Sequence, residues 1–380
     1  MKIGIITHNY PLYKGQSKDA GKFIYGFAHI LSSKVDKVFV LCPNYEGEKE
    51  KYKDIPVTWF SWIGGSKKLG NLKKWNPLSW FLVLNLLLSG QKATVEFVKT
   101  NKIDYLIVFW NFPGGVFAWY ANKKLAVPYV TWALGSDIFV YGNLPIAKIL
   151  ISLVLKNATF AFGNSINICQ TIENKFRKKS VFLPTSNLLL TKNSSAPKLN
   201  KNKFNFLYVG RLELVKGPDV LLDAIEKLSK KRRDFQLYMI GEGSMADWLN
   251  SEFKKRNLGE LVSLLGYVED QKVVNGFFMH SDCLVIPSRS ESFPLVITEA
   301  LQASLPMIGS DVGDMPLFIP KNKLGFIFKK EDSDDLANVM DRMIKSGSKI
   351  KNHSKVKMKE LANKFNLDNI VDDLLYYINT

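Results

Sequence analysis

Apolar positions in this chain fall into short continuous runs separated by amphipathic stretches. Runs at Ile3–Thr7, Val38–Cys42, Tyr105–Phe109, Tyr129–Thr131, Thr159–Phe162 and Val181–Leu183 predict strands buried on both faces. Between them, Gly21–Leu31 and Ser165–Phe176 carry apolar residues at helical spacing. The second half repeats the scheme, with strands predicted at Phe204–Val209, Phe235–Ile240, Val262–Leu265, Cys283–Ile286, Met307–Gly309 and Phe326–Phe328. Gly217-Pro218 opens a helix that aligns Leu221, Ile225 and Leu228, and Asn366–Ile378 reads as a closing helix. This alternation predicts an α/β chain of two Rossmann-like, doubly wound domains. The polar, aperiodic run Thr191–Asn202 is the predicted linker. It sets a first domain at 1–190, a second at 203–365 and a terminal helix at 366–380.

Composition narrows the class. With 380 residues, 46% hydrophobic and 23% charged, the chain is long enough for two cores and is neither disordered nor collagen-like. Cys42, Cys169 and Cys283 are odd in number and widely spaced, so they form neither a disulfide framework nor a CxxC metal site. Met1-Lys2 leads at once into the first predicted strand, too short a run for a signal peptide. The longest apolar stretch, Leu78–Leu88, is shorter than the roughly 20 residues of a membrane span. A cytoplasmic location is expected.

Charge changes the picture most. The net charge is +17, and residues 1–190 hold 24 basic against 10 acidic residues, leaving 28 against 25 for the rest. The lysine-rich half points to an anionic partner. Arg177 is its only arginine, and no base-readout motif appears, so nucleic acid is the least favoured partner. Seven lysines between Lys49 and Trp80 interleave with Trp59, Phe60, Trp62, Trp75 and Trp80. Residues 49–88 therefore read either as an anionic-membrane contact or as a solvated loop beside a buried helix.

In open parallel sheets, ligands bind beyond the carboxyl ends of the strands. After the strand at 204–209, Gly210-Arg211 and Lys216-Gly217 bound a loop with two cations. They read either as solvated charges or as a grip on a diphosphate beside a helix N-terminus. After the strand at 283–286 comes Pro287-Ser-Arg-Ser-Glu291-Ser-Phe293-Pro294-Leu295-Val296, with Glu299 inside the following helix. Pro294 suits the first helical position, which leaves the Leu295 and Val296 N–H groups for a phosphate. Glu291 and Glu299 are either surface charges or acceptors for vicinal sugar hydroxyls. Gly241-Glu-Gly243 reads best as a tight turn, and Gly135-Ser-Asp137 either caps a helix or meets a sugar hydroxyl. Histidines 8, 29, 280 and 353 lack ligand spacing, so no metal site is expected.

In their order, these motifs resemble the retaining, GT-B-fold glycosyltransferases of family 4. The match rests on G-R-x4-K-G at 210–217, G-x-G at 241–243, P-S-x2-E-x-F-P-x4-E at 287–299 and D-V-G at 311–313. Weaker matches are Pro11–Gly15 and Gly135-Ser-Asp137. The resemblance implies two domains facing across a cleft and a terminal helix crossing back to the first. It also implies a nucleotide-diphosphate sugar donor, transfer with retention, and no metal or cofactor. Arg211, Lys216 and Glu291 would be the catalytic set. Gly15, Asp137, Gly210, Gly241, Tyr267, Glu291, Phe293, Leu295, Val296 and Glu299 would complete the donor site. Leu134 stands where the family has histidine, and Gln16, Ser304, Asp314 and Leu317 also depart from its pattern. The expected acceptor is a glycan or lipid-linked glycan of the cell envelope, met by a cytoplasmic protein peripheral on the membrane. A nucleotide-sugar epimerase of the same fold and a silent nucleotide-sugar binder are the alternatives.

Overall fold

The apolar runs pair in parallel, as continuous burial on both faces requires. The computed structural model describes residues 1–11, 21–44, 54–65, 76–187 and 198–380. It divides into one unit of Met1–Thr185 with Leu367–Thr380 and another of Ser186–Asn366. The first unit runs β1 (Lys2–Ile6), α1 (Lys22–Ser32), β2 (Lys37–Pro43), β3 (Val57–Phe60), α2 (Pro77–Asn101) and β4 (Tyr105–Phe109). It continues through α3 (Gly114–Leu125), β5 (Tyr129–Ala133), α4 (Ser136–Phe139), α5 (Pro145–Asn157), β6 (Ala161–Gly163), α6 (Ile166–Phe176) and β7 (Val181–Phe182). Its seven strands lie in the order β3-β2-β1-β4-β5-β6-β7.

The second unit runs β8 (Phe204–Val209), α7 (Pro218–Ser229), β9 (Phe235–Ile240), α8 (Ala246–Lys255), β10 (Val262–Leu264), α9 (Gln271–His280) and β11 (Cys283–Ile286). There follow α10 (Leu295–Gln302), β12 (Met307–Ser310), α11 (Met315–Lys321), β13 (Gly325–Phe328) and the long α12 (Ser333–Lys364). Six strands take the order β10-β9-β8-β11-β12-β13, which reverses direction between β8 and β11. The last helix, α13 (Leu367–Asn379), belongs to the first unit. There Lys34 binds Asp372 at 2.7 Å and Tyr377 packs on Phe160 and Phe162.

Three expectations are corrected. The apolar stretch at 78–88 is the first half of a 25-residue helix, α2, long and apolar enough by length and composition to cross a membrane. Its inner face is nonetheless core, since Leu82, Leu86, Phe97 and Val98 are buried with the sheet. Phe60 and Trp62 are also core residues, so they offer no face to a membrane. Pro294 is the N-cap of α10, one position earlier than predicted, because its ψ of 132° is extended. Residues 45–53 and 66–75, with the lysines and Trp75 they contain, lie outside the described residues.

Candidate functional site

The reversal of strand order between β8 and β11 opens a crevice at their carboxyl ends, and the two motif loops leave the sheet on either side of it. Gly217 makes their approach close. Its φ is +67°, and a Cβ there would stand 2.0 Å from the Pro287 carbonyl oxygen. The two loops meet through their side chains. Lys216 Nζ forms an ion pair with Glu291 Oε1, joining residues far apart in sequence. Ser288 Oγ donates to the same oxygen at 2.9 Å. Glu291 Oε2 accepts no hydrogen bond among the described residues. Arg211 is exposed on the β8 side and forms no ion pair among the described residues.

Neighbouring groups fix this geometry. Arg289 lies in the β11 loop, and its fork grips Asp219, at the start of α7, with bonds of 2.7 and 2.6 Å. It also binds Glu331 at 2.7 Å and the Leu214 carbonyl at 2.6 Å, so it pins the turn that carries Lys216. Burial pulls the Asp219 pKa upward, but the bonds and charge of Arg289 outweigh it and hold the carboxyl below its ordinary value. Tyr208 donates to the Arg211 carbonyl at 2.8 Å, and its hydroxyl pKa is pushed up by burial first and the Glu291 charge second. Glu213 accepts from Ser244 N and Oγ at 3.0 and 2.6 Å, tying the β8 loop to the β9 loop.

The other motif residues surround this pair or support it. Gly210 donates to Ile240, and Gly241 donates to Gly266, beside the half-buried Tyr267. The φ of Gly241 is +144°, and a Cβ there would stand 1.9 Å from the Gly210 carbonyl oxygen, so a side chain is excluded. The N–H groups of Leu295 and Val296 begin α10 and have no acceptor among the described residues. Glu299 is buried and accepts from Asn187 Nδ2 at 2.5 Å, both within the second unit. Phe293 is 3% exposed, and its ring packs edge-on against Phe318 and Phe365.

In the first unit, Asp137 is fully buried. Its oxygens accept from Asn111 N and Nδ2 at 2.8 and 2.9 Å, and from Leu134 N and Gly135 N at 3.2 and 3.0 Å. It staples the loop after β4 to the loop after β5 and presents no open oxygen to a sugar. Gly15 lies outside the described residues. No group of three or more candidate metal ligands occurs among the described residues. Ser288 and Arg289 are site residues that the motif alone does not single out, because their partners lie in other elements. Their place inside the P-S-R-S-E run is the one signal the sequence offers for them.

Residues 191–364 match the family described as glycosyl transferases group 1. An uncharacterized glycosyltransferase of Methanocaldococcus jannaschii is 26% identical over 76% of this chain and 75% of its own length. D-inositol 3-phosphate glycosyltransferase of an Arthrobacter strain is 32% identical over 37% of this chain and 34% of its own. In fold, the chain is similar to sucrose-phosphate synthase from Thermosynechococcus elongatus (TM-score 0.76, 15% identity, 100% and 98% coverage). It is also similar to HepE of Anabaena solved with UDP (TM-score 0.74, 17% identity, both chains fully covered). Its two parallel α/β sheets are those of the GT-B fold, and the match to the group 1 glycosyltransferases lies in the half that carries the β8 and β11 loops.

Proposed function

We propose that this chain transfers a hexosyl group from a nucleoside-diphosphate sugar to a glycan or lipid-linked glycan, with retention at the anomeric carbon. The Lys216–Glu291 pair at the β8/β11 crevice is the observation that carries the reading. It sets a cation and a hydroxyl acceptor side by side at the position where such sheets bind ligands. Glu291 has one oxygen committed to Lys216 and Ser288, and Oε2 remains to accept from a sugar hydroxyl. A bound diphosphate takes over as the anionic partner of Lys216, with Arg211 as a second cation and the Leu295 and Val296 N–H groups as further donors. Glu299, held in α10, takes the ribose hydroxyls.

Loss of the nucleoside diphosphate leaves positive charge on the sugar and negative charge on the leaving group. Fixed cations and amides aimed at that developing charge lower the barrier without covalent catalysis. The acceptor hydroxyl attacks from the face the diphosphate leaves, and a phosphate oxygen takes its proton. The reaction needs no metal under this reading, and activity is expected to survive a chelator. HepE was solved with UDP and, separately, with UDP-glucose, which supports a nucleotide-sugar donor for this fold. The acceptor lies at the cytoplasmic face of the cell membrane, where the chain acts as a peripheral protein in building cell-envelope polysaccharide.

The test is a panel of nucleotide sugars incubated with the full chain, followed by proton NMR of the new glycosidic bond. One donor is expected to be consumed, with the anomeric coupling of product and donor alike. An inverted product would overturn retention, and no turnover of any donor would overturn the transferase activity proposed here.

A further inference from the structure

One face of α2 is apolar and exposed in its first half and cationic in its second. Leu78, Phe81, Leu84 and Leu88 are 56%, 54%, 54% and 58% exposed. At 100° per residue they form a stripe about 15 Å long, ten residues at about 1.5 Å each. Asn85, between them, accepts from Ile63 N at 2.8 Å and so holds the 65% exposed Ile63 beside the stripe. Continuing along the same face, Lys92 and Lys99 follow after Leu88. With Lys124 and Tyr120 of the adjoining α3, they line an open cavity of about 390 Å³ that Leu88 borders. No carboxylate lines it, and none of the three lysines has an ion-pair partner among the described residues.

We propose that this face docks on an anionic bilayer, with the stripe entering the interface and the lysine cavity receiving a phospholipid headgroup phosphate. An apolar stripe alone fits a second protein copy as well as a membrane. A cavity lined by three lysines and continuous with the stripe, with Glu96 of α2 outside its lining, matches the layering of an anionic leaflet, apolar below and phosphate above. The helix does not cross the membrane. Its opposite face is built into the sheet core through Leu82, Leu86 and Phe97, and crossing would unpack the unit. The inference rests on the peripheral-membrane part of the proposed function and is independent of the donor site.

The full chain is floated with vesicles of phosphatidylcholine alone and of phosphatidylcholine with phosphatidylglycerol, with nucleoside-diphosphate binding measured on each preparation. Wild type is expected to float with the anionic vesicles only. Lys92→Glu with Lys124→Glu, which reverses two of the three charges, and separately Leu84→Gln with Leu88→Gln, which makes half of the apolar stripe polar, are each expected to lose tenfold or more in vesicle affinity. Nucleotide binding by both variants stays as in wild type. Equal flotation with both vesicles, or flotation unaffected by both double variants, would overturn the docking proposal. So would a stripe variant that changes only the sedimentation coefficient, which assigns the face to a second copy. Loss of nucleotide binding in wild type with flotation intact would instead sink the donor reading and leave the docking standing.

Discussion

Glu291 and Lys216 illustrate how one side chain can hold another ready. The pair leaves the lysine anchored and one glutamate oxygen without a partner among the described residues. Lys216→Ala is expected to lower kcat by about 10²–10³-fold, the range seen when one donor to developing charge is removed. Steady-state kinetics with circular dichroism as a fold control checks this, and full activity in a folded variant would contradict the assigned role. A second residue-scale effect lies at the end of β1. His8 lies against Trp110 with ring centroids 4.1 Å apart and planes tilted by 46°, and its Nδ1 is buried without a hydrogen-bond partner among the described residues. Burial lowers its pKa from 6.5 to about 4. The unfolded chain therefore binds a proton that the folded chain refuses between those values. Stability is complete above about pH 6.5 and falls as pH drops towards 4, by about 3 kcal/mol for this group. Melting temperature against pH should show this acid limb, shallower in His8→Gln.

At the scale of elements, legibility in the sequence depends on how each element is buried. Strands β4, β8, β9 and β11 coincide with their apolar runs because both faces are covered. The edge strand β3 has no such run: Val57 and Trp59 are half-buried and Thr58 is exposed, so nothing marks it. The 32-residue α12 is hidden by a lysine- and serine-rich surface that resembles a loop. What holds it is a sparse inner face of Leu336, Met340, Met343, Met358 and Leu361, which only tertiary contact reveals. At the site, Lys216, Glu291 and Glu299 are legible as strand-end or helix-start residues. Arg289 is not, because Asp219 and Glu331 reach it from other elements. The approach of the β8 and β11 loops depends on Gly217. Gly217→Ala is expected to cost about 1–3 kcal/mol from its positive φ and the Pro287 contact, and to weaken nucleotide binding with it. Chemical denaturation beside nucleotide titration measures both. Unchanged stability would show that the loop has another way to accommodate a side chain.

For the whole molecule, the uneven charge and the divided chain have separate consequences. The basic excess belongs to the half that carries α2 and its lysine cavity, whereas residues 191–380 are nearly neutral. On the proposed function, the donor's phosphates need only a few well-placed cations, which leaves the bulk charge for the acceptor side. The chain returns at its end to the first unit, where Leu367, Ile370, Val371 and Leu374 of α13 are buried. Deleting residues 367–380 exposes the surface they cover, at about 1.5–3 kcal/mol per buried side chain. The truncated chain is expected to melt well below wild type by calorimetry, although every residue of the β8/β11 site is retained.

Under the proposed function, the β8/β11 crevice binds a nucleoside diphosphate through Lys216 and Arg211. Isothermal titration of UDP and GDP into wild type, Lys216→Met and Arg211→Met tests it most directly. At least one of them is expected to bind wild type saturably, with affinity weakened tenfold or more in each variant. Equal affinity across the three proteins, or no binding of either nucleotide to folded wild type, would contradict it.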